Sequence, residues 1–185
     1  ASMGTSTGFA TVDTAVWPPL AQLLLLLLAL QGACSGSTSG GIKADRLVVA
    51  AKGLARQLTE LAHPRAVVSI RLDDRAVDEK TVRSILLYIV VYLAMVACST
   101  AALAALGVDL LSGFSGVVAS AGNVGPGLGS VGSMANFGHL NAASMWVLFV
   151  SMLLGRLEIY ALLLLLLYFF RYLSLLPFFF LLLQN

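Results

Sequence analysis

Four features of this chain have residue types and spacing suited to chemistry: two glycine-bearing loops, a small-residue break in an apolar run, and an arginine inside another apolar run. The first loop is Ser6-Thr7-Gly8-Phe9; the second is Gly122-Asn123-Val124-Gly125-Pro126-Gly127-Leu128-Gly129. Glycine lets a backbone turn its carbonyl oxygens toward an axis, where they can replace the water shell of a cation. Such a site needs no charged side chain, so the scarcity of acidic residues in both loops fits a cation pore. The break is Gly32-Ala33-Cys34-Ser35-Gly36-Ser37-Thr38-Ser39-Gly40-Gly41. Arg156 stands deep in the last apolar stretch, where an arginine costs at least roughly 2.5–3.5 kcal/mol on insertion scales. It must face protein or water.

The elements that position these residues follow from composition and patterning. Of 185 residues, 59% are hydrophobic and 11% charged. A soluble domain carries about 25% charged residues, so the solvent for most of this chain is lipid. The run 20–30 is too short, at about 1.5 Å per residue, to cross a core of roughly 30 Å. A helix resuming at Ile42 makes it a broken transmembrane helix, whose unwound middle is buried in protein or lines a watery cavity. Residues 85–106 are apolar and long enough to span. Gly107-Val108-Asp109 breaks that run, and residues 110–120 form a shorter one. The second loop follows, and its glycines and proline exclude regular helix. A last apolar stretch covers residues 140–170 and contains Arg156 and Glu158. Residues 85–170 thus read as helix, short re-entrant helix, loop and helix, the design of cation channels. Ser6-Thr7-Gly8-Phe9, Trp17-Pro18 and the run from Leu20 repeat the second half of that unit.

Residues 43–83 hold nine of the eleven basic residues: Lys43, Arg46, Lys52, Arg56, Arg65, Arg71, Arg75, Lys80 and Arg83. The positive-inside rule places this segment in the cytoplasm and both glycine loops outside. Leu47, Ala51, Leu54, Leu58 and Leu61 have helical spacing, and His63-Pro64 ends that helix. Residues 67–72 and 75–77, with Asp73-Asp74 between them, predict a small hairpin. Asp78 is placed to cap the next helix. Asp13 and Asp109 read as cap or turn residues. Residues 1–16 lack the basic start of a signal peptide, so the chain reads as opening inside a longer protein.

Other chemistries fit less well. Gly36 and Gly41 have phosphate-loop separation, but Ile42 stands where lysine must follow. Ser35 or Ser39 with His139 would make an intramembrane serine protease, but His139 lies in a loop away from those serines. The break 32–41 could instead be a close helix-packing patch. Arg156 and Glu158 are two apart and point to different helix faces, so they are not a natural pair. The basic residues serve either as positive-inside charges near anionic lipid or as a docking face. Cys34 and Cys98 have no metal or disulfide pattern and read as small buried residues.

Several motifs carry a family resemblance. Ser2-Met3-Gly4-Thr5-Ser6-Thr7-Gly8-Phe9-Ala10-Thr11 resembles the third filter loop of the Trk/Ktr/HKT potassium transporters. Cys34-Ser35-Gly36-Ser37-Thr38-Ser39-Gly40-Gly41-Ile42-Lys43 resembles their intramembrane gating loop. Asn123-Val124-Gly125-Pro126-Gly127-Leu128-Gly129 resembles the fourth filter loop, and Leu154-Gly155-Arg156-Leu157-Glu158 the inner half of the last helix. His63-Pro64 and Val68-Ser69-Ile70-Arg71-Leu72 match the connector of the Trk branch.

The resemblance covers roughly residues 1–165. It implies an all-α membrane protein of K⁺-channel-like helix–pore-loop–helix repeats, with two of four repeats present here. Residues 1–62 would end the third repeat, 63–79 connect, 80–170 form the fourth, and 171–185 be an apolar tail of no assigned role. K⁺ would be coordinated by the filter residues Ser6, Thr7, Gly8, Asn123, Val124 and Gly125. Gly36, Ser37, Thr38, Ser39 and Gly40 would form the gate, with Arg156 an electrostatic barrier beneath the filter. The implied protein is a multi-pass cell (inner) membrane transporter and no enzyme. K⁺ is its cargo, and no organic cofactor or nucleic acid enters. Its partners would be lipid, the missing repeats or a second chain, a homodimer mate, and a cytoplasmic nucleotide-binding regulatory subunit. The other class is a non-conducting membrane fragment or assembly subunit dependent on other chains.

Overall fold

A computed structural model describes residues 2–34, 36–37, 39–63, 70–72 and 75–157. It comprises five helices, α1 to α5, and one two-stranded hairpin. Helix α1 runs Pro19–Gln31, and the proline at its first turn gives up an N–H that would have no helical partner. It stops at Gly32, whose φ of 68° ordinary residues rarely adopt. Helix α2, Ala44–Ala62, ends at His63. Helix α3, Glu79–Ala105, has 27 residues and is the one described helix long and apolar enough to cross a membrane. Helices α1, α4 (Leu110–Ala121) and α5 (Ala142–Arg156) are shorter apolar helices.

Caps explain where α4 and α5 begin. The Asp109 carboxylate accepts from the Ser112 N–H, and the Asn141 side chain accepts from the Ser144 N–H at 2.8 Å. Asp13 caps a short 3₁₀ turn, accepting from the Ala15 N–H at 2.9 Å. Asp78 occupies the N-cap position of α3 but makes no side-chain cap bond.

Helix α4 sits at the centre, packed on α1, α3 and α5. Eight of its residues are buried, among them Ser112, Ser115, Val117, Val118 and Ala121. Its small residues let neighbouring backbones approach closely, the usual packing solution in lipid. Its buried hydroxyls are satisfied by chain that follows. Ser115 Oγ accepts from the Leu128 N–H at 2.8 Å, and Ser112 Oγ from the Ser130 N–H at 3.1 Å. The core around α4 includes Ala29, Ile42, Tyr88, Tyr92, Leu103, Val124 and Leu148. By contrast, Leu20, Leu23, Leu24 and Leu27 of α1, Val90 of α3 and Trp146 of α5 are exposed. A contiguous apolar exterior of this kind awaits lipid or protein.

A second small core joins Val49 of α2, Ile70 and Val82 of α3. There β1 (Arg71–Leu72) pairs antiparallel with β2 (Arg75–Ala76), and Lys52 Nζ donates to the Arg71 carbonyl at 2.7 Å. The expected hairpin therefore forms at these residues; residues 67–69 of its pattern lie outside the described residues. The expected stripe on α2 turns outward: Leu47, Leu54, Leu58 and Leu61 are exposed, while Val49 and Gly53 face α3 and the hairpin. Cys34 and Cys98 are also exposed, correcting their reading as buried. Apolar neighbours on a chain of this composition mark a lipid-facing surface as readily as an interior.

Candidate functional site

The two glycine loops lie side by side. In the first, the Thr7 N–H donates to the Ser2 carbonyl at 3.0 Å and the Ser6 N–H to Met3 at 3.3 Å, folding residues 2–7 into a tight turn. The second leaves the C-terminus of α4, where the Asn123 and Val124 N–H groups cap the Ser120 and Ala119 carbonyls at 3.0 and 2.9 Å. Gly8 presses directly on the Val124 carbonyl, and a β-carbon there would overlap that oxygen. Ser6 Oγ donates to the Gly122 carbonyl at 3.3 Å.

Their backbones also repeat one another. Ser6 has φ 54° and Gly8 φ 76°; Asn123 has φ 54° and Gly125 φ 108°, with neither Thr7 nor Val124 left-handed. Left-handed backbone is unusual for serine, whereas asparagine is among the residues that tolerate it best after glycine. The alternation departs from a strand, where successive carbonyls face opposite ways, and suits a row of carbonyls on one side. Thus Ser6, Thr7 and Gly8 are brought against Asn123, Val124 and Gly125.

The break between α1 and α2 is a loop with a stapled base. The Ile42 N–H donates to the Leu30 carbonyl at 3.2 Å, Lys43 to Gln31 at 2.8 Å and Ala44 to Ala33 at 3.2 Å. The first two bonds satisfy α1 carbonyls that have no intrahelical partner. The described residues between leave the helix line and return. Ser39 Oγ accepts from the Ala33 N–H at 3.0 Å and donates to the Gly40 carbonyl at 3.2 Å. Ser39 and Gly40 are buried; Gly36 is exposed, with open space where a β-carbon would stand. Ser37 Oγ accepts from the Ser39 N–H at 3.2 Å. Thr38, and Ser35 of the discounted protease reading, lie outside the described residues.

The break and α5 converge on one atom, the Ala121 carbonyl oxygen ending α4. Gly40 abuts it from the loop and Gly155 from α5, each so closely that a β-carbon would overlap it. Gly122 abuts the Ala29 carbonyl of α1. The Asn123 side-chain nitrogen is buried beside Gly40 and has no hydrogen-bond partner among the described residues. Arg156 follows Gly155 and is the last residue of α5, exposed. Glu158, the residues to 170 and the tail 171–185 lie outside the described residues. His139 hydrogen-bonds Ser130 Oγ at 3.2 Å and the Asn136 carbonyl at 2.9 Å, and makes no bond to Ser39. Among the described residues, no group of three His, Cys, Asp or Glu could hold a metal ion.

Against known families, residues 1–169 match the model of TrkH, described as a cation transport protein. The chain belongs to the TrkH family. It is 42% identical over 164 residues to the Trk system potassium uptake protein TrkH of Salmonella typhimurium, covering 89% of this chain and 34% of the relative. It is 36% identical over 159 residues to the Trk system potassium uptake protein TrkG of Escherichia coli, covering 86% and 32%. The crystal structure of the potassium transporter TrkH from Vibrio parahaemolyticus superposes with a TM-score of 0.81 at 41% identity, over 89% of this chain and 35% of that one. The chain thus spans about a third of the length of these relatives. TrkH proteins are membrane transporters, not enzymes, and the helical architecture agrees with theirs. Patterning did not single out Ala121 or Tyr88 at this site, because no local motif marks a carbonyl or side chain shared by distant segments.

Proposed function

We propose that this chain supplies two of the four repeats of a potassium pore. Residues 1–62 end one repeat, 63–79 connect, 80–170 form the next, and 171–185 have no assigned role. K⁺ sheds water against the carbonyls of Ser6, Thr7, Asn123 and Val124, held in line by Gly8 and Gly125. The observation that carries this reading is the seating of Gly8 on the Val124 carbonyl, between two loops with the same alternation of backbone handedness. Helix α4 adds to it: its C-terminus, the negative end of its dipole, lies at the start of the second loop. The cation gains that partial charge without any carboxylate. An apolar hollow of about 520 Å³ beside Asn123, Val124 and Gly125, lined by Phe137, Met145 and Phe149, is space for a further repeat.

Residues 36–40 form a gate packed under the second loop through Gly40, and Arg156 sets a repulsive barrier for cations near the same junction. The membrane potential drives entry, about 2.3 kcal/mol per charge per 100 mV. The segment 43–83 faces the cytoplasm, where its basic residues meet anionic lipid and a nucleotide-binding regulatory subunit. The complete protein pairs as a homodimer in the cell membrane.

Arg156→Ala tests the barrier. Two unit charges 4 Å apart interact by about 1 kcal/mol even in water, so removing one raises K⁺ conductance of the four-repeat protein roughly fivefold. A conductance equal to or below the parent's would count against this role.

A further inference from the structure

The gating loop leaves its base through Gly41 and Lys43, with φ of 92° and 69°. Lysine rarely adopts such backbone, and its persistence requires the surroundings to enforce it. One neighbour reaches this hinge from another helix. Tyr88 of α3, 2% exposed, donates its hydroxyl to the Gly41 carbonyl at 3.3 Å. On its ring lies the guanidinium of Arg46, 4.2 Å from the centroid, from the first turn of α2. The ring is also backed by Tyr92, centroids 6.3 Å apart. The hydroxyl thus grips the loop's exit while the ring's face carries the start of the helix that the loop leads into.

We infer that Tyr88 is the latch of the gating loop, and that Arg46 on its ring transmits displacements of α2 to it. This rests on the gate reading of residues 36–40. Tyr88 acts through the Gly41 carbonyl and the start of α2, so it is a positioning residue. When the loop swings out about its stapled base, the Gly41 carbonyl leaves the hydroxyl, and losing that bond belongs to the cost of opening. A pull on α2 drags Arg46 across the ring and loosens the same bond.

The test uses the four-repeat protein. Tyr88→Phe deletes the hydroxyl and keeps both ring contacts. One hydrogen bond is worth a factor of roughly 3–10 in an equilibrium. K⁺ flux and the rate at which a thiol reagent labels Ser39→Cys, a position buried in the latched loop, in a Cys34→Ser, Cys98→Ser background, should both rise by about that factor. K⁺/Na⁺ selectivity and melting temperature should stay near the parent's, which separates a latch from a general structural role. Arg46→Gln, which removes the cation from the ring, should shift both readouts the same way.

Tyr88→Phe with parental flux and labelling would overturn the latch. So would a raised flux accompanied by lost selectivity. Deleting residues 35–38 distinguishes the failures. If the deletion raises flux and Tyr88→Phe does not, the latch alone is wrong. If the deletion leaves flux unchanged, the gate reading falls and the latch with it.

Discussion

Gly8→Ala is expected to abolish selective K⁺ uptake by the four-repeat protein, and Gly125→Ser to impair selectivity while leaving measurable transport. Both glycines are left-handed, with φ of 76° and 108°, so either substitution meets a conformational penalty of about 1–2 kcal/mol. Their surroundings differ. At Gly8 a β-carbon would overlap the Val124 carbonyl oxygen, a backbone atom that cannot turn aside without leaving its own place in the site. At Gly125 nothing stands within 4 Å of the added atom. The first change therefore displaces a coordinating oxygen and parts the two loops; the second only stiffens one. Rubidium uptake and the K⁺/Na⁺ permeability ratio rank them. The ratio should fall at least tenfold for Gly8→Ala and less for Gly125→Ser. The reverse order, or an unaffected Gly8→Ala, would contradict the paired-loop site.

A comparable loss, of stability rather than selectivity, is expected for Gly155→Ala. In an exposed helix interior this change gains up to about 1 kcal/mol of propensity. Here the new methyl would meet the Ala121 carbonyl oxygen, carbon and Cα together. Overpacking against side chains costs about 1–3 kcal/mol, and a backbone obstacle belongs at the upper end, since α4 is held on several sides. Gly113→Ala is the internal control: its neighbours are side-chain carbons at 3.6 Å and beyond. In detergent, Gly155→Ala should melt well below the parent and Gly113→Ala at or above it. Equal melting temperatures would mean that α5 can slide off α4, and that Ala121 does not fix their spacing.

These predictions show which parts of the molecule were legible in its sequence. Helix positions were, because apolar length and punctuation are local: residues 85–106 read as a span and α3 covers Glu79–Ala105. The stop at Gly32 followed from the same punctuation, and the helix expected to resume at Ile42 does so at Ala44. The loops around Gly8 and Gly125 were legible as loops, and their resemblance to filter loops placed them in one site. That Gly8 would touch Val124 was not legible, since the residues lie far apart in the chain and glycine carries no pattern of partners. The same holds for Gly40 and Gly155 converging on Ala121, and for Tyr88 reaching Gly41. Cys34 and Cys98 were misjudged for a different reason. An apolar neighbourhood predicts burial in a protein surrounded by water, whereas this chain exposes apolar surface along α1, α3 and α5.

The central claim is that two paired loops form half of a potassium pore that other repeats complete. Complementation of uptake-deficient bacteria tests it most directly, comparing the 185-residue chain alone with the chain joined to the preceding sequence that completes the four repeats. With both forms verified in the membrane, growth at low K⁺ is expected for the joined form only. Growth with the short chain alone would contradict the count of repeats, and growth with neither would contradict the pore itself.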